Sequence, residues 1–368
     1  MIRILHVFGK TGRGGAESMI MNYYRCIDRN QIQFDFVKHT EEECDFDKEI
    51  RSLGGRIYNM PKFKGVNYFR YRDAWKKLLI LHPEYHIVHV HHFKVAGIVN
   101  HIAKETRVPV RIVHAHATKI EGGWFSRAIY QCIMKPLLLK YSNHYWACGQ
   151  VAGEYMFGKR HFYILRNAIP VEQFRYDEKK REEIRQQLDI KPETFVIGHV
   201  GRFSLPKNHK RIIEIFDEIH KQSDNTLLLL VGDGELKASV ENMVCSLGIS
   251  DKVIFVGVRS DVYNILQVVD LFIFPSIYEG LCIAPIEAQA SGIPCVLSDV
   301  ISKEVQLTDL VKFVRLNDSN ETWVKTITSL INKKIDRGNY NHMIIQSGYD
   351  IHANAKQLAE YYTKMQPA

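Results

Sequence analysis

The chain has 368 residues, enough for two to three domains of roughly 150 residues each. Hydrophobic residues make up 46% and charged residues 24%, which argues against a disordered chain, a collagen-like repeat or a small disulfide scaffold. The seven cysteines are scattered and odd in number, as suits a reducing compartment, and no apolar run reaches the ~18 residues that span a bilayer. The first apolar stretch is too short for a signal peptide, so we expect a cytoplasmic protein.

The first half of the chain alternates short apolar runs with amphipathic stretches. Residues 2–8 predict a strand, a glycine-rich turn follows, and residues 16–27 predict a helix. Such alternation is typical of βαβ units and a parallel sheet. Further strands are predicted at residues 32–37, 87–90 and 108–113, and further helices at residues 68–82, 94–105 and 126–141.

The same pattern restarts after a charged stretch at residues 177–191, which predicts a linker with one polar helix. We therefore predict two doubly wound α/β domains, residues 1–170 and 171–350, which face each other across a cleft. A last helix, within residues 351–368, could pack on either domain, including back on the first. Strands of the second domain are predicted at residues 194–200, 227–231, 253–256, 271–274 and 295–298, with a helix at residues 210–221.

Charge is divided unevenly between the two halves. Residues 1–170 hold 26 Lys and Arg against 14 Asp and Glu, a net charge of +12, whereas residues 171–368 hold 23 against 27, a net charge of −4. This asymmetry suggests two domains with different partners. The basic half could face nucleic acid, an anionic membrane or a phosphorylated substrate.

A glycine-rich loop, residues 9–17, follows the first strand. Glycine lets a backbone approach a ligand, and the next helix directs its amide dipoles at an anion, although a tight turn without a ligand has the same composition. A dinucleotide fingerprint would require glycine at the position of Glu17, and a carboxylate is a poor neighbour for a pyrophosphate. The loop therefore argues against an NAD site.

A second loop, residues 201–209, follows the first strand of the second domain. Arg202 and Lys207 place two cations near a helix N-terminus, for which Asn208 is a candidate N-cap. Two cations in this position would hold a diphosphate, although ordinary exposed surface charges would give the same sequence.

The most informative segment is residues 274–294. A buried strand ends at Pro275, Pro285 suits the first turn of a helix, and Gly292 suits its C-terminal cap. Glu279 then precedes the helix and Glu287 lies one turn into it. Two such carboxylates could be a general acid and base, or only caps and dipole partners.

This segment resembles the signature of the family 4 retaining glycosyltransferases, which have the GT-B fold. Glu279 and Glu287 are separated by seven residues within Pro-Ser-x-Tyr-Glu-Gly-Leu and Glu-Ala-x-Ala-x-Gly-x-Pro. The subgroup that it resembles most is the bacterial exopolysaccharide and capsule transferases of the EpsF type. Further matches extend the resemblance to almost the whole chain, at residues 14–17, 166–169, 201–203, 207–209 and 255–261.

The resemblance implies a role for each matching residue in binding a nucleotide-sugar donor. Glu287 would hold the ribose hydroxyls, and Glu279 would contact the donor sugar or the adjoining phosphate. Arg202 and Lys207 would neutralise the leaving diphosphate. The remaining donor-binding residues would be Gly14, Gly15, Val258, Arg259, Gly280, Leu281, Cys282 and Ile283, with Val258 and Arg259 beside the base and the others near the diphosphate.

Two positions depart from the family pattern. Pro170 stands where Asp is usual, and Cys282 stands where Pro is common. Neither position carries the chemistry, but both could alter loop shape and donor choice.

Histidines cluster at residues 86–92 and at His114 and His116. Residues i and i+2 of a strand share a face, so His114 and His116 could point together. A zinc site needs three or four converging ligands, and no helical His-Glu-x-x-His occurs, so we predict no metal there. We also assign no Asp-x-Asp metal site, and therefore expect no Mg²⁺, Mn²⁺ or other cofactor. The family places one histidine beside the donor sugar, and we favour His116 over His114 because it is nearer the end of the strand.

Residues 61–82 and 124–141 combine Lys and Arg with aromatic side chains. This composition is typical of an interfacial membrane helix, and also of a helix that packs on a sheet and has a solvated basic face. The resemblance favours the membrane, since related enzymes dock their acceptor domain on the inner leaflet. We expect the first domain to bind a polyprenyl-diphosphate-linked sugar at the cytoplasmic face of the membrane, and no nucleic acid, because no reader motif occurs.

Together, these inferences predict that the protein is a retaining, metal-independent glycosyltransferase. It would move a hexose or N-acetylhexosamine from a nucleotide-diphosphate sugar, with UDP the expected nucleotide, to a lipid-linked saccharide in surface polysaccharide synthesis. Its catalytic set would be His116 or His114 with Glu279, Arg202 and Lys207, since preorganised cations stabilise charge on a leaving diphosphate. The alternative is a non-catalytic GT-B subunit that stabilises a partner transferase. The intact charged residues argue against this alternative.

Overall fold

The structure, a computed structural model, describes residues 1–118, 123–331, 333 and 335–365, without the side chains of residues 125 and 126. Its contacts divide the chain into two compact units. The first unit contains Met1–Ile169 together with the chain from Asp350, and the second contains Pro170–Tyr349. Each unit is built on one parallel sheet with helices between successive strands, which confirms the prediction of two doubly wound α/β domains.

The first unit has a seven-stranded sheet with the order β3-β2-β1-β4-β5-β6-β7. Parallel strands bury both faces, and Ile32–Lys38 is accordingly buried along its whole length. Strand order reverses between β1 and β4, where ligands bind in open parallel sheets. The strands are β1 Ile2–Val7, β2 Ile32–Lys38, β3 Ile57–Asn59, β4 Ile87–Val90, β5 Val110–Ala115, β6 His144–Ala147 and β7 Tyr163–Ile164.

Helices of the first unit follow its strands in alternation. One predicted helix, residues 126–141, is three elements, because a π-helical turn at Tyr130–Met134 joins two short α-helices. The helices are α1 Gly15–Cys26, α2 Asp47–Ser52, α3 Tyr68–Leu81, α4 Phe93–Glu105, α5 Trp124–Ile129, α6 Lys135–Tyr141 and α7 Gln150–Phe157.

The second unit repeats this plan with six parallel strands in the order β10-β9-β8-β11-β12-β13. Its strand order reverses between β8 and β11. The strands are β8 Phe195–Val200, β9 Thr226–Val231, β10 Val253–Gly257, β11 Leu271–Phe274, β12 Cys295–Ser298 and β13 Val311–Val314. The helices are α8 Glu178–Gln187, α9 His209–Gln222, α10 Lys237–Ser246, α11 Val262–Val268, α12 Ala284–Ala290, α13 Asn320–Ile331 and α14 Tyr340–Gln346, with short 3₁₀ turns at Val171–Phe174, Leu205–Lys207, Ser250–Lys252, Lys303–Val305 and Arg337–Asn339.

The last helix, α15 (Ile351–Lys364), returns to the first unit. The amide of Ile351 donates to the carbonyl of Ile169 at 3.0 Å. Tyr362 is fully buried, and its ring stacks on Trp146 with 5.7 Å between the ring centroids. The helix therefore forms part of the core of the first unit. Among the described residues, no helix is long and apolar enough to cross a membrane.

Candidate active site

In the second unit, the loops that follow β8 and β11 are joined at the carboxyl edge of the sheet. The amide of Ile277 donates to the carbonyl of Pro206 at 2.8 Å, and Nδ2 of Asn208 donates to the carbonyl of Pro275 at 3.1 Å. Asn208 has a left-handed backbone with φ of 57°, and its side chain makes no cap bond to α9. Asn208 therefore occupies the predicted N-cap position of α9, but its side-chain amide joins the two loops instead of capping the helix.

Lys207 and Glu279 meet where these loops join. Nζ of Lys207 lies 2.7 Å from Oε1 of Glu279 and 4.7 Å from the ring centroid of Phe274. The two side chains are only 20% and 12% exposed. The structure thus brings together a cation and a carboxylate that are 72 residues apart, and holds both in defined positions.

Arg202 lies on the same loop but is held less firmly. Its side chain is 72% exposed and makes a surface ion pair with Glu235 at 3.1 Å. The backbone beneath it is tightly packed, since a Cβ added to Gly232 would lie 2.2 Å from the carbonyl oxygen of Gly201. The loop backbone is therefore fixed while the guanidinium of Arg202 reaches into solvent.

Glu287 occupies the first turn of α12, whose N-terminus contains Pro285. The helix ends before Gly292, which has φ of +68°. These positions follow the predicted pattern. Burial raises the pKa of Glu287 to about 7, so the carboxyl is near its titration midpoint at neutral pH.

The chain between Glu279 and α12 contains Gly280, Leu281, Cys282 and Ile283. Leu281 and Cys282 are each 7% exposed, which ties this turn to the interior of the unit. The side chain of Cys282 is therefore buried close to Glu279 in the chain, and its role stays a prediction.

The remaining predicted donor residues of this unit follow β10. Val258 is 52% exposed. Both Nε and Nη2 of Arg259 donate to the carboxylate of Asp261 at 2.8 Å. This bidentate pair fixes the plane of the guanidinium next to an exposed apolar side chain.

In the first unit, Gly14 precedes α1 and Gly15 is its first residue. The carboxyl of Glu17 turns back onto Gly14, where an added Cβ would lie 2.3 Å from Oε2. Burial raises the pKa of Glu17 to about 7. A Cβ at Gly15 would have no described atom within 4 Å, so the backbone there borders open space.

The sequence interpretation misses one Asp-x-Asp spacing, Asp45 to Asp47, which lies beside this loop. The carboxylate of Asp47 is fully buried, forms an ion pair with Lys38 and accepts a hydrogen bond from the hydroxyl of Thr11. Asp45 accepts from the amide of Arg13 at 3.2 Å. Both carboxylates therefore hold the glycine-rich loop.

His114 and His116 have different surroundings. His114 is fully buried within β5, whereas His116 follows the end of that strand and is partly exposed. The geometry favours His116 as the residue that substrate can reach, while the role of either histidine stays a prediction.

The two residues belong to a larger cluster, which we call the histidine cluster. Its members lie in, or directly after, the adjacent strands β1, β4 and β5, where His6 is paired with His89 in the strand register. Burial lowers the pKa of each ring, to about 3 for His6 and His116, so all are neutral at pH 7. The cluster consists of His6, His89, His91, His114 and His116.

These histidines converge more closely than the sequence suggested. One nitrogen from each member lies within 4.8 Å of the others in two groups, which are His6, His89 and His91, and His91, His114 and His116. Three histidine nitrogens therefore do converge in each group, which the sequence did not indicate, and the absence of a bound metal stays a prediction. Hydrogen bonds between the rings already use most of these nitrogens.

Comparisons with known proteins agree with this geometry. A family model described as Glycosyl transferases group 1 matches residues 180–350. The UDP-Gal:alpha-D-GlcNAc-diphosphoundecaprenol alpha-1,3-galactosyltransferase of Escherichia coli is 27% identical over 60% of each chain. The crystal structure of Anabaena HepE in complex with UDP superposes with a TM-score of 0.80 at 18% identity, over 99% of this chain and all of that chain. This last likeness concerns the fold, and it confirms the predicted GT-B architecture.

Another relative that matches along nearly the whole chain is a protein of Bacillus subtilis (strain 168), the putative glycosyltransferase EpsF. The two are 31% identical over 98% of this chain and 96% of the relative. An identity of this level over nearly the whole of both proteins is consistent with the group 1 match to the second unit. The chain therefore belongs to the group 1 glycosyltransferases.

Proposed function

We propose that this glycosyltransferase moves a hexose or N-acetylhexosamine from a UDP-sugar to a lipid-linked saccharide during synthesis of a bacterial surface polysaccharide. The anomeric configuration is retained and no divalent cation takes part. The paired Lys207 and Glu279 on the joined loops after β8 and β11 carry this proposal.

Lys207 supplies the positive charge that the leaving diphosphate requires. Breaking the anomeric bond builds negative charge on the diphosphate, and a cation fixed in advance stabilises that charge without reorganisation. Glu279 and the ring of Phe274 hold the ammonium group in position before the donor arrives. On donor binding, the diphosphate becomes a second partner of Lys207, and the carboxylate of Glu279 contacts the sugar.

Glu287 binds the ribose and His116 meets the donor sugar in this proposal. A carboxylate accepts hydrogen bonds from two neighbouring hydroxyls, which suits the position of Glu287 in the first turn of α12. Arg202 adds charge at the diphosphate, and its exposure lets it move towards the ligand. Attack on the same face of the sugar as the departing diphosphate retains configuration and needs no nucleophile from the enzyme.

The nucleotide and the acceptor are inferred from the relatives. UDP is bound in the HepE structure, and the Escherichia coli relative is named for a UDP-galactose donor and a diphosphoundecaprenol-linked acceptor. The first unit of this chain has features that suit such an acceptor. Its helix α3 exposes Phe69 (73%), Ile80 (67%) and Leu81 (63%), and Trp124 at the start of α5 is 80% exposed. We propose that these side chains, with the surrounding basic residues, dock the unit on the inner face of the membrane.

The test offers purified protein a panel of UDP- and GDP-sugars with a polyprenyl-diphosphate-linked sugar as acceptor. Transfer and nucleotide release are followed with and without EDTA, and the anomeric configuration of the product is determined by NMR. We expect transfer from one UDP-sugar at an unchanged rate in EDTA. Absence of transfer from every donor would favour the non-catalytic subunit, and loss of transfer in EDTA would contradict the metal-free mechanism.

Substitution of Lys207 tests the residue on which the mechanism depends. Lys207→Gln should lower kcat/KM for the donor by about 100-fold, the cost of removing one preorganised group from a developing anion. Lys210→Gln is the matched control, because Lys210 lies one turn away with a side chain that is 77% exposed. Equal effects of the two substitutions would refute the role of Lys207.

A further inference from the structure

His116 is the outer end of a chain of three hydrogen-bonded imidazoles. Nε2 of His116 lies 2.8 Å from Nδ1 of His91, and Nε2 of His91 lies 2.9 Å from Nδ1 of His6. His91 is 6% exposed and His6 is fully buried. The chain thus runs from the end of β5, across β4, to the interior of the unit at β1.

The two bonds of His91 link the protons of all three rings. A neutral imidazole has one N–H donor and one acceptor nitrogen, so His91 must donate through one bond and accept through the other. If His91 donates to His116, it accepts from His6, and the reverse holds if it donates to His6. In either case the three rings have the same tautomer, all Nδ1–H or all Nε2–H.

The same bonds decide which nitrogen of His116 can meet a ligand. Nε2 is occupied by His91, and no described residue bonds to Nδ1. A hydrogen bond at one ring nitrogen sets the orientation of the ring and the state of the other nitrogen. We propose that His91, backed by His6, is a positioning residue that holds Nε2 of His116 and so directs Nδ1 at the substrate. This inference rests on the proposed function of His116.

A second chain in the same cluster provides an internal control. The hydroxyl of Tyr362 lies 2.7 Å from Nδ1 of His89, and Nε2 of His89 lies 3.2 Å from Nδ1 of His114. No hydrogen bond joins this chain to His116 among the described residues. His89 therefore matches His91 in residue type and burial, and lies two residues before it in the chain, but within the part of the chain that the structure describes no hydrogen bond connects it to His116.

The first experiment measures the tautomers directly. Protein labelled with ¹⁵N-histidine is studied by long-range ¹H–¹⁵N NMR at pH 7.5, with each ring assigned by substitution. We expect His6, His91 and His116 to share one tautomer in the wild type, and His116 to change its ¹⁵N shifts in His91→Leu but not in His89→Leu. Different tautomers among the three rings would overturn the proposal.

The second experiment measures transfer. We expect His91→Leu to lower kcat by about 10- to 100-fold with little change in KM, the usual cost of losing a partner that orients an active ring. His91→Asn, whose amide takes the place of Nδ1, should restore most of the rate, and His89→Leu should stay within about threefold of the wild type. An equal loss in His91→Leu and His89→Leu, or no rescue by His91→Asn, would show a merely structural role and overturn the proposal.

Substitutions of His116 itself separate this inference from the proposed function. An Asn side chain places its amide near Nδ1 of histidine and a Gln side chain near Nε2, so His116→Asn should retain more transfer than His116→Gln. The opposite order would overturn the positioning proposal alone. Full transfer by His116→Ala would instead refute the role of His116 in the proposed function, whatever the NMR data show about the tautomers.

Discussion

Glu17 and Glu287 are carboxyl groups whose pKa is raised to about 7 by burial, one in each unit. A carboxyl with this pKa in the folded protein and about 4.5 in the unfolded chain keeps its proton longer when folded. Its contribution to stability is therefore lost as the pH rises from about 4.5 to 7. For Glu287, the stability that is lost on ionisation is connected to donor binding in the proposed mechanism. The ionised carboxylate can accept hydrogen bonds from the ribose hydroxyls through both of its oxygens.

The pKa of Glu287 predicts a pH dependence of donor binding. Affinity for the reactive UDP-sugar should rise about tenfold from pH 6 to pH 8, because the ionised fraction of a group with a pKa near 7 rises by about that factor. Isothermal titration calorimetry measures it, and the sugar diphosphate itself does not titrate in this range. Glu287→Gln should remove the slope and Glu17→Gln should keep it. A slope that persists in Glu287→Gln would assign the effect to another group.

Single residues also show where sequence reasoning succeeded and where it could not. Lys207 and Glu279 each follow a strand in a doubly wound pattern, and adjacent strands end at one edge, so their meeting was predictable. The difference between the held Lys207 and the exposed Arg202 was not, because it depends on which side chains lie within reach after folding. The convergence of His6 and His91 was hidden by their separation of 85 residues, and only the strand order β1-β4-β5 reveals it.

At the scale of elements, the ends of β1, β4 and β5 carry the unusual chemistry of the first unit. Burial depresses the pKa of every member of the histidine cluster, so these rings are neutral in the folded protein at pH values where the unfolded chain binds protons. Their contribution to stability is present above about pH 6.5 and is lost as the pH falls through the lowered pKa of each ring. Short strands such as β3 and β7 escaped prediction because two or three residues give no periodicity.

Acid should therefore destabilise the first unit steeply. Below pH 6.5, the neutral buried ring of His6 lowers the free energy of unfolding by up to about 1.4 kcal/mol per pH unit, and the other buried rings act in the same direction. Urea unfolding followed by tryptophan fluorescence at pH 7.5, 6.5 and 5.5 measures this slope. His6→Phe should reduce the slope by about one ring's share, since His6 already packs on Phe34 with 4.3 Å between ring centroids. A wild-type stability that is constant from pH 7.5 to 5.5 would contradict the prediction.

At the scale of the whole molecule, the net charge of +8 combines a basic first half with an acidic second half. The division corresponds to two proposed partners, an acceptor at an anionic membrane and a soluble donor. Local cations such as Lys207 occur in the second unit where the diphosphate is proposed to lie. The exposed apolar side chains of α3 and α5 belong to the basic half, and this combination of charge and apolar surface suits an interfacial site.

Membrane docking predicts vesicle binding that depends on both charge and apolar contact. The protein should co-float with vesicles that contain phosphatidylglycerol at 0.1 M NaCl, where the Debye length is about 10 Å. Co-flotation should be much weaker at high salt or with vesicles of phosphatidylcholine alone. The double substitution Phe69→Ser with Trp124→Ser should abolish co-flotation. Met343→Ser, at an exposed residue of the second unit, is the control. Binding that is insensitive to the double substitution would exclude these side chains as the anchor.

The return of α15 to the first unit has a consequence for the order in which the protein is made. Tyr362, which completes the packing around His89 and Trp146, leaves the ribosome after the whole of the second unit. Domains usually fold in the order of their synthesis. Here the first unit is synthesised first but completed last, because the part of its core that α15 covers stays exposed until α15 has been synthesised. The second unit can fold before that point. The growing chain is therefore most exposed to chaperones and proteases through its older half.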